Sequence, residues 1–386
     1  MLDSFAIEKY FHKGQSEIAH VIKGLVVNEN EKLFELLDFE NDRIFLEPFL
    51  FLYFNYRLKA NFPLLQILWG YIPKKNRPYS IMVRSNTEGI VYLPNYGYLK
   101  TVFINREMEL QFNQREILIF CDGDQVDFEV EELLWLEDDK VEILQHSCSL
   151  LNSVFINDQR ETVLVTILNT DLFNGYVKQS LELLKLVNPV YYKILVSATR
   201  KVVCFNGSLN SFASMSAHGG SFLNVKAENG LIFFFDNIIH QCSHIVFNAI
   251  SFKKEDWFST SPATPLSKFT RVEDDYHDIY GRYHGLFTQT NINLTIDKCL
   301  DINILDGDEL HELKGRFSSN MKRFKTALMK LDYPEMYSSI GTEWFRYFEK
   351  TYKMLYNKRK ELIESINVEN QPYVFDYNIF VQTNPR

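Results

Sequence analysis

Hydrophobic positions along the chain follow a helical spacing at both ends and a strand-like pattern between them. Up to about residue 72, apolar residues recur three or four positions apart, as in SEIAHVIKGLVV, which predicts amphipathic helices. From 81 to about 168, short apolar runs such as GIVYLP and EILIFCD are separated by Asn, Gly and Asp, which predicts an antiparallel sheet. The helical spacing returns strongly over 308–366.

These patterns predict an α+β protein in three parts. We place a helical N-terminal region at 1–75, a β-rich region at 76–170 and a mostly helical region at 171–386. The segment YIPKKNRPYS, with two prolines and a basic cluster, interrupts the first helical pattern and marks the first boundary. A chain of 386 residues is long enough for two or three packed subdomains.

The third region opens with an amphipathic helix predicted over 174–189 and ended by Pro189. The predicted strands that follow it are 191–198, 200–207 and 221–226. The run LIFFF at 231–235 is either a buried strand or the first turns of the next helix. In the first case Asp236 is the helix N-cap, and in the second it lies one turn before His240 on the same face.

Composition and charge narrow the class of protein. The apolar fraction of 46% and the charged fraction of 24% are those of a globular protein. The net charge of −9 and the lack of a long basic run argue against a nucleic-acid partner. The beginning of the sequence has no signal-peptide pattern, and the longest apolar stretch, FLFLYF, is too short to span a membrane. Five widely spaced cysteines without a C-x-x-C fit a reducing cytoplasm.

Two histidines in DNIIHQCSHIVFNAI are the first candidates for chemistry. His240 and His244 are four residues apart, so on a helix both imidazoles face the same side and could bind one metal ion. The residues around them are apolar nearly all round, which predicts a buried helix. Buried histidines need partners, and a shared metal ion is one solution. Hydrogen bonds scattered through the core are the alternative.

Gln241 indicates which metal chemistry is compatible with this pair. The spacing is that of the H-E-x-x-H helix of zinc proteases, in which the glutamate is the general base. Gln241 stands in that position, and its amide cannot accept a proton at neutral pH, which argues against a hydrolase. It could still orient a ligand or a bound water. Two histidines, a third ligand and open positions instead suit non-haem Fe(II) and O₂.

The third ligand is sought in DDYHDIYGRYHGLFTQTN. A helix predicted from about Asp274 sets His277 and His284 on one face, because seven residues make nearly two turns. We rank His284 first, because Gly285 next to it lets another backbone approach closely. Asp278 is the carboxylate alternative and His277 the third choice.

The order of several segments over 163–300 resembles a known family. These segments are VTILNTDLFNGYVKQSLELLKLVNP, YKILVSATRKVVCFN, SMSAHGGSFLNV, FFDNIIHQCSH and YHGLFTQTNI. The run resembles the H-E-x-x-H-motif peptide-modification family, the iron- and 2-oxoglutarate-dependent peptide β-hydroxylases of ribosomal-peptide biosynthesis, with Gln241 in place of the motif glutamate. The resemblance implies metal ligation by His240, His244 and His284, with Fe(II) as the metal and 2-oxoglutarate as the cosubstrate. It also implies hydroxylation of a side-chain β-carbon in a ribosomally made peptide.

A 2-oxoglutarate enzyme also needs a cation for the distal carboxylate. Arg271 is the candidate, with a surface salt bridge as its alternative role, and Asn248 could support a ligand from one turn after His244. The strand predicted at 221–226 could bind an extended peptide as an added strand. A zinc metallohydrolase-like protein and a non-catalytic partner-binding protein remain the alternative functions, and the oligomeric state stays open.

Overall fold

The structure is a computed structural model that describes residues 4–60, 62–113, 116–137, 140–157, 159–272 and 277–386. The chain forms two compact units. Unit 1 contains Met1–Gly14, Gly175–Leu195 and Ala227–Arg386, and unit 2 contains Gln15–Asn174 and Val196–Lys226. This division follows contacts in space, so the three predicted segments of the sequence remain a prediction.

Unit 2 combines short helices with three sheets. Its helices are α2 (Glu31–Phe34), α3 (Asp42–Phe45), α4 (Pro48–Ala60) and α5 (Leu64–Leu68). Three helices contain the points at which the chain passes between the units: α1 (Ser4–Glu29), α6 (Asp171–Val187) and α7 (Pro189–Ala198). The strands are β1 (Ser80–Arg84), β2 (Ile90–Leu93), β3 (Gly97–Lys100), β4 (Glu107–Phe112), β5 (Ile117–Cys121), β6 (Asp124–Val126), β7 (Glu129–Glu131), β8 (Leu134–Leu136), β9 (Val141–Ile143), β10 (Thr166–Ile167), β11 (Lys201–Asn206), β12 (Phe212–Ala213) and β13 (Gly220–Asn224).

The sheets of unit 2 are mainly antiparallel. One has the order β1-β4-β5-β6 and a second the order β2-β3-β7, both antiparallel throughout. The third has the order β12-β13-β11-β9-β8, with β10 paired to β11. In this sheet β11 runs parallel to β9 and to β13. The strand predicted at 221–226 is therefore paired on both sides over Ser221 and Phe222, so its predicted role as a free edge for a peptide is wrong.

Unit 1 is mostly helical in its described residues. Its own helices are α8 (Leu231–Ile250), α9 (Ser267–Thr270), α10 (Ile279–Ile302), α11 (Gly307–Lys330), α12 (Ser339–Lys358), α13 (Lys360–Ser365) and α14 (Tyr377–Thr383). A short 3-10 turn, Lys254–Trp257, follows α8.

Helix α8 packs against α10 and α11, which also pack against each other. Along α8 and α10 the contacts run in opposite directions: Ser251 meets Tyr280 near one end, and Phe247 packs on Phe287 further along. These two helices are therefore antiparallel. The Phe247 ring also lies 6.4 Å from that of Trp344 in α12, and all three of Phe247, Phe287 and Trp344 are fully buried. This aromatic core holds the three helices together.

The structure confirms the α+β class, with helices towards both ends of the chain and antiparallel sheets in the middle. The run 231–235 forms the first turns of α8, so the helical interpretation of LIFFF is confirmed. The strand predicted at 191–198 is wrong, because these residues lie in α7. Pro189 both follows the end of α6 and starts α7, and its fixed φ suits the first turn of a helix. None of the helices in the described ranges is both long and apolar enough to cross a membrane.

Candidate metal centre

Helix α8 carries a polar stripe along one face; outside it, the polar residues Asp236 and Ser243 are buried. Gly230 precedes the helix as its N-cap, so Asp236 lies inside the helix and is not the cap. The polar stripe consists of Asn237, His240, Gln241, His244 and Asn248. These positions follow the three- and four-residue spacing of a single helix face. Gln241 is buried, whereas the other four are partly exposed in a helix whose remaining positions are nearly all buried.

The structure brings the three predicted histidine ligands together. The ring centroids of His240 and His244 are 5.1 Å apart on α8. The ring of His284, in the second turn of α10, lies 4.5 Å from that of His244 at an interplanar angle of 70°. Antiparallel packing of α8 against α10 produces this meeting, which joins residues 40 positions apart in the chain. The three form the histidine cluster of unit 1.

The surroundings keep these histidines neutral. Burial lowers the pKa of His240, and the positive charge of Arg323 lowers it further against the opposing effect of Asp236. Burial also lowers the pKa of His244 well below its usual value, assisted by the neighbouring rings of His284 and His240. The pKa of His284 falls to about 3, mainly through burial. A neutral imidazole is the form that binds a metal ion.

The side chains of His240 and His244 make ring contacts but no hydrogen bond to any residue in the described part of the chain. Each ring nitrogen can donate or accept a hydrogen bond and could therefore have a partner in the protein. Asp236 does not serve as one. Its two carboxylate oxygens accept from Arg316 Nη1 at 2.9 Å and Asn320 Nδ2 at 3.1 Å. The nitrogens of the pair are therefore available to a ligand.

His284 has one nitrogen engaged. Its Nε2 lies 3.2 Å from the backbone oxygen of His244. A carbonyl oxygen only accepts, so Nε2 carries the hydrogen and Nδ1 keeps its lone pair. Within the described ranges, no three His, Cys, Asp or Glu side chains already surround a common point that could hold an ion. Metal binding by the histidine cluster would therefore require side-chain rotation.

The carboxylate alternative for the third ligand has a structural role. Helix α10 begins at Ile279, and Asp278 is its N-cap, with Oδ1 accepting from the Gly281 amide at 2.6 Å. His277 lies before the helix, and its Nδ1 is 3.2 Å from Arg282 Nη2. The prediction that His277 and His284 share a helix face is therefore wrong. The predicted helix start near Asp274 lies outside the described residues.

Of the other predicted site residues, Asn248 and Gln241 lie on the polar stripe of α8, and Arg271 does not. Arg271 is exposed at the end of α9 in a left-handed conformation, with φ 57°, and the structure does not bring it to the histidine cluster. Asn248 is in the polar stripe, and its Oδ1 lies 3.5 Å from the Tyr280 hydroxyl. Gln241 shares the stripe as well, next to His240 and one turn before His244.

Two cations near the histidine cluster were missed by the sequence analysis. Arg323 in α11 acts electrostatically on His240, and Lys254 acts on His284. The Lys254 Nζ lies 4.1 Å from the centroid of the Tyr280 ring. Arg323 follows Arg316 and Asn320 at helical spacing, and this polar face was the signal in the sequence that could have identified it.

No known protein family matches this chain, and no curated protein does. The resemblance to the peptide β-hydroxylases therefore stays a prediction.

Proposed function

We propose that this protein is a non-haem Fe(II)- and 2-oxoglutarate-dependent oxygenase that hydroxylates a side-chain β-carbon of a ribosomally made peptide. The observation that carries the proposal is the meeting of His240, His244 and His284 at the packed faces of α8 and α10. Two further features support it: the first two side chains lack other hydrogen-bond partners in the described chain, and all three have a lowered pKa.

The donor set fits a borderline metal such as Fe(II), for which imidazole is a suitable ligand. His240 and His244 would supply one nitrogen each, and His284 would supply Nδ1 while its Nε2–H donates to the His244 carbonyl oxygen. That hydrogen bond fixes the tautomer, as bonds to the second nitrogen of metal-bound histidines commonly do. When bound, iron and 2-oxoglutarate would supply the oxidising power for C–H hydroxylation.

The remaining residues of the polar stripe would position ligands. Asn237 and Asn248 lie about one turn before His240 and after His244, and their amides both donate and accept hydrogen bonds. Gln241 could hold a bound water or substrate by the same chemistry. Because its amide is no general base at neutral pH, the zinc-hydrolase alternative lacks the group that would activate water.

Metal analysis tests the first link of the proposal. We expect the protein, purified from minimal medium without added metal and reconstituted without oxygen, to bind one Fe(II) per chain in calorimetry. His240→Ala and His244→Ala should each reduce binding to background while the far-UV circular dichroism stays unchanged. His277→Ala is the matched control, since it removes an imidazole outside the histidine cluster. Tight zinc binding with peptide cleavage would favour the hydrolase, and no metal binding would favour a partner-binding protein.

Turnover tests the second link. The iron-loaded protein should convert 2-oxoglutarate to succinate, and a ribosomally made precursor peptide that it binds should gain the mass of one oxygen atom. Fragmentation of the product would place the oxygen on a β-carbon. Iron binding without any consumption of 2-oxoglutarate, with or without peptide, would reject the oxygenase while leaving the metal centre in place.

A further inference from the structure

A row of polar side chains on α11 runs along the flank of α8. Near the start of this row the guanidinium of Arg316 lies 5.6 Å from the Phe233 ring, and it binds Asp236 one turn later. Asn320, one turn further along α11, binds the same carboxylate. Contacts between α8 and α11 therefore advance in the same direction along both helices, which means that the two run parallel. The next residue of this row, Arg323, comes level with His240.

Arg323 is a partly buried cation that forms no ion pair with a carboxylate of the described residues. Its Nη2 donates to the backbone oxygens of Pro372, at 3.2 Å, and Tyr373, and its guanidinium lies 5.3 Å from the Tyr373 ring. The negative charge of Asp236 acts on it from a distance, but both oxygens of that carboxylate already accept from Arg316 and Asn320. Removing a charge from water without pairing it is costly.

We propose that Arg323 binds a carboxylate of the ligand that occupies the histidine cluster. The inference rests on the proposed function for the position of that ligand. The carboxylate could come from two sources: the distal end of 2-oxoglutarate or an acidic side chain of the peptide. In either case the ligand would bring a negative charge to Arg323, and its Nε and Nη1, which make no hydrogen bond within the described residues, can donate to a carboxylate oxygen.

Lys254 is the competing cation, on the side of His284. Its ammonium already lies over the face of Tyr280, which is a favourable position for a cation. The backbone oxygens of Pro372 and Tyr373 hold Arg323 in one orientation, so less freedom is lost when a ligand binds there.

Calorimetry of the Fe(II)-loaded protein without oxygen tests the inference. The probes are 2-oxoglutarate and pyruvate, a 2-oxo acid without the distal carboxylate, together with acetyl-Ala-Asp-Ala-amide and its Asn counterpart. We expect Arg323→Gln to weaken binding of 2-oxoglutarate roughly 10- to 100-fold, the usual range for a lost charged hydrogen bond, and to leave pyruvate binding unchanged. Arg323→Lys should bind 2-oxoglutarate with an affinity between those of the wild type and Arg323→Gln. The iron content and circular dichroism of Arg323→Lys should match those of the wild type.

Lys254→Gln is the matched control, because it removes one positive charge beside the same histidine cluster. It should bind both 2-oxo acids like the wild type. If Arg323→Gln weakens only the Asp peptide, the carboxylate that Arg323 binds is that of the peptide. If Arg323→Gln binds every probe like the wild type, the assignment of Arg323 is wrong and the proposed function stands. A wild-type protein that binds neither iron nor any probe overturns both.

Discussion

His284 is the residue on which the proposed metal centre depends most. We expect His284→Ala to weaken Fe(II) binding at least 100-fold, since few ligands share the affinity of such a site. Succinate formation from 2-oxoglutarate should be lost with it. The structure supports this expectation through the 4.5 Å separation of the His284 and His244 rings. Calorimetry with Fe(II) and a succinate assay are the measurements.

Asp278→Ala is the opposing test, because Asp278 was the carboxylate alternative. As the N-cap of α10, its loss should cost about 1 kcal/mol of stability. Fe(II) binding should be unaffected. If Asp278→Ala loses iron and His284→Ala keeps it, the third ligand is Asp278 and the site is a triad of two histidines and one carboxylate.

Gln241→Glu tests whether α8 is a zinc-protease helix that differs from an active one only at this residue. We expect no cleavage of generic peptides by this variant, because a protease also needs an oxyanion stabiliser and a substrate cleft. A new carboxylate beside His240 should instead change the affinity for Fe(II). Fluorogenic peptide substrates incubated with zinc-loaded protein measure the first effect. Efficient cleavage would count against the oxygenase.

Among single residues, His240 and His244 were predictable from their spacing in the sequence. The cations near them, Arg323 and Lys254, were not, because tertiary packing brings them there. His240 and His244 share one helix, so their common face follows from four residues of sequence. Asp278 could be read as a ligand because its carboxylate suits both a metal and a helix cap. Arg323 shares a helix face with Arg316 and Asn320, which is a local pattern, but only the packing of α11 on α8 brings that face beside His240.

At the scale of elements, a buried ion pair between Asp236 and Arg316 joins α8 to α11. Asp236→Ala would leave the guanidinium of Arg316, only 3% exposed, with Glu312 as its remaining carboxylate partner. We expect this change to lower the free energy of unfolding by about 3 kcal/mol, the usual order for breaking a buried pair. Urea denaturation followed by circular dichroism measures the loss.

Asp236→Asn is the matched variant, because its amide oxygen can still accept from Arg316 or Asn320. Its loss of stability should be smaller than that of Asp236→Ala. Equal stability of Asp236→Ala and the wild type would mean that this contact contributes nothing to the packing of α8 on α11.

Elements were predictable where one face is buried and the other is exposed. The helical spacing of 308–366 reappears as α11 to α13, and their polar faces remain in solvent. Helix α7 shows why 191–198 was mistaken for a strand. Its buried residues include Tyr191, Ile194, Leu195 and Ala198. Within 191–198 only Lys193 and Ser197, four positions apart, are exposed. Two polar positions are a weak helical signal, and the β-branched and aromatic residues around them favour a strand assignment.

At the scale of the whole molecule, the α+β class followed from the sequence but the grouping of segments did not. Unit 2 pairs β9, from the β-rich region, with β11, which lies beyond α6 and α7 in the chain. Parallel pairing of this kind joins strands that are far apart in sequence. Dividing the sequence into consecutive segments cannot predict this pairing, because the residues of a strand do not specify which strand it will pair with.

Acid should destabilise the molecule through His218, which is 1% exposed in unit 2. Its Nε2 is 3.3 Å from Gln15 Oε1, and burial lowers its pKa to about 4. In the unfolded chain its pKa is about 6.5, so the unfolded state takes up the proton first as the pH falls. The stability contributed by the neutral ring is therefore complete above about pH 6.5 and is lost progressively towards pH 4. Between pH 7 and pH 5 this amounts to about 2 kcal/mol.

His218→Gln cannot take up this proton, so urea denaturation should show a smaller loss of stability over that interval than in the wild type. Identical losses would mean that His218 does not sense the pH.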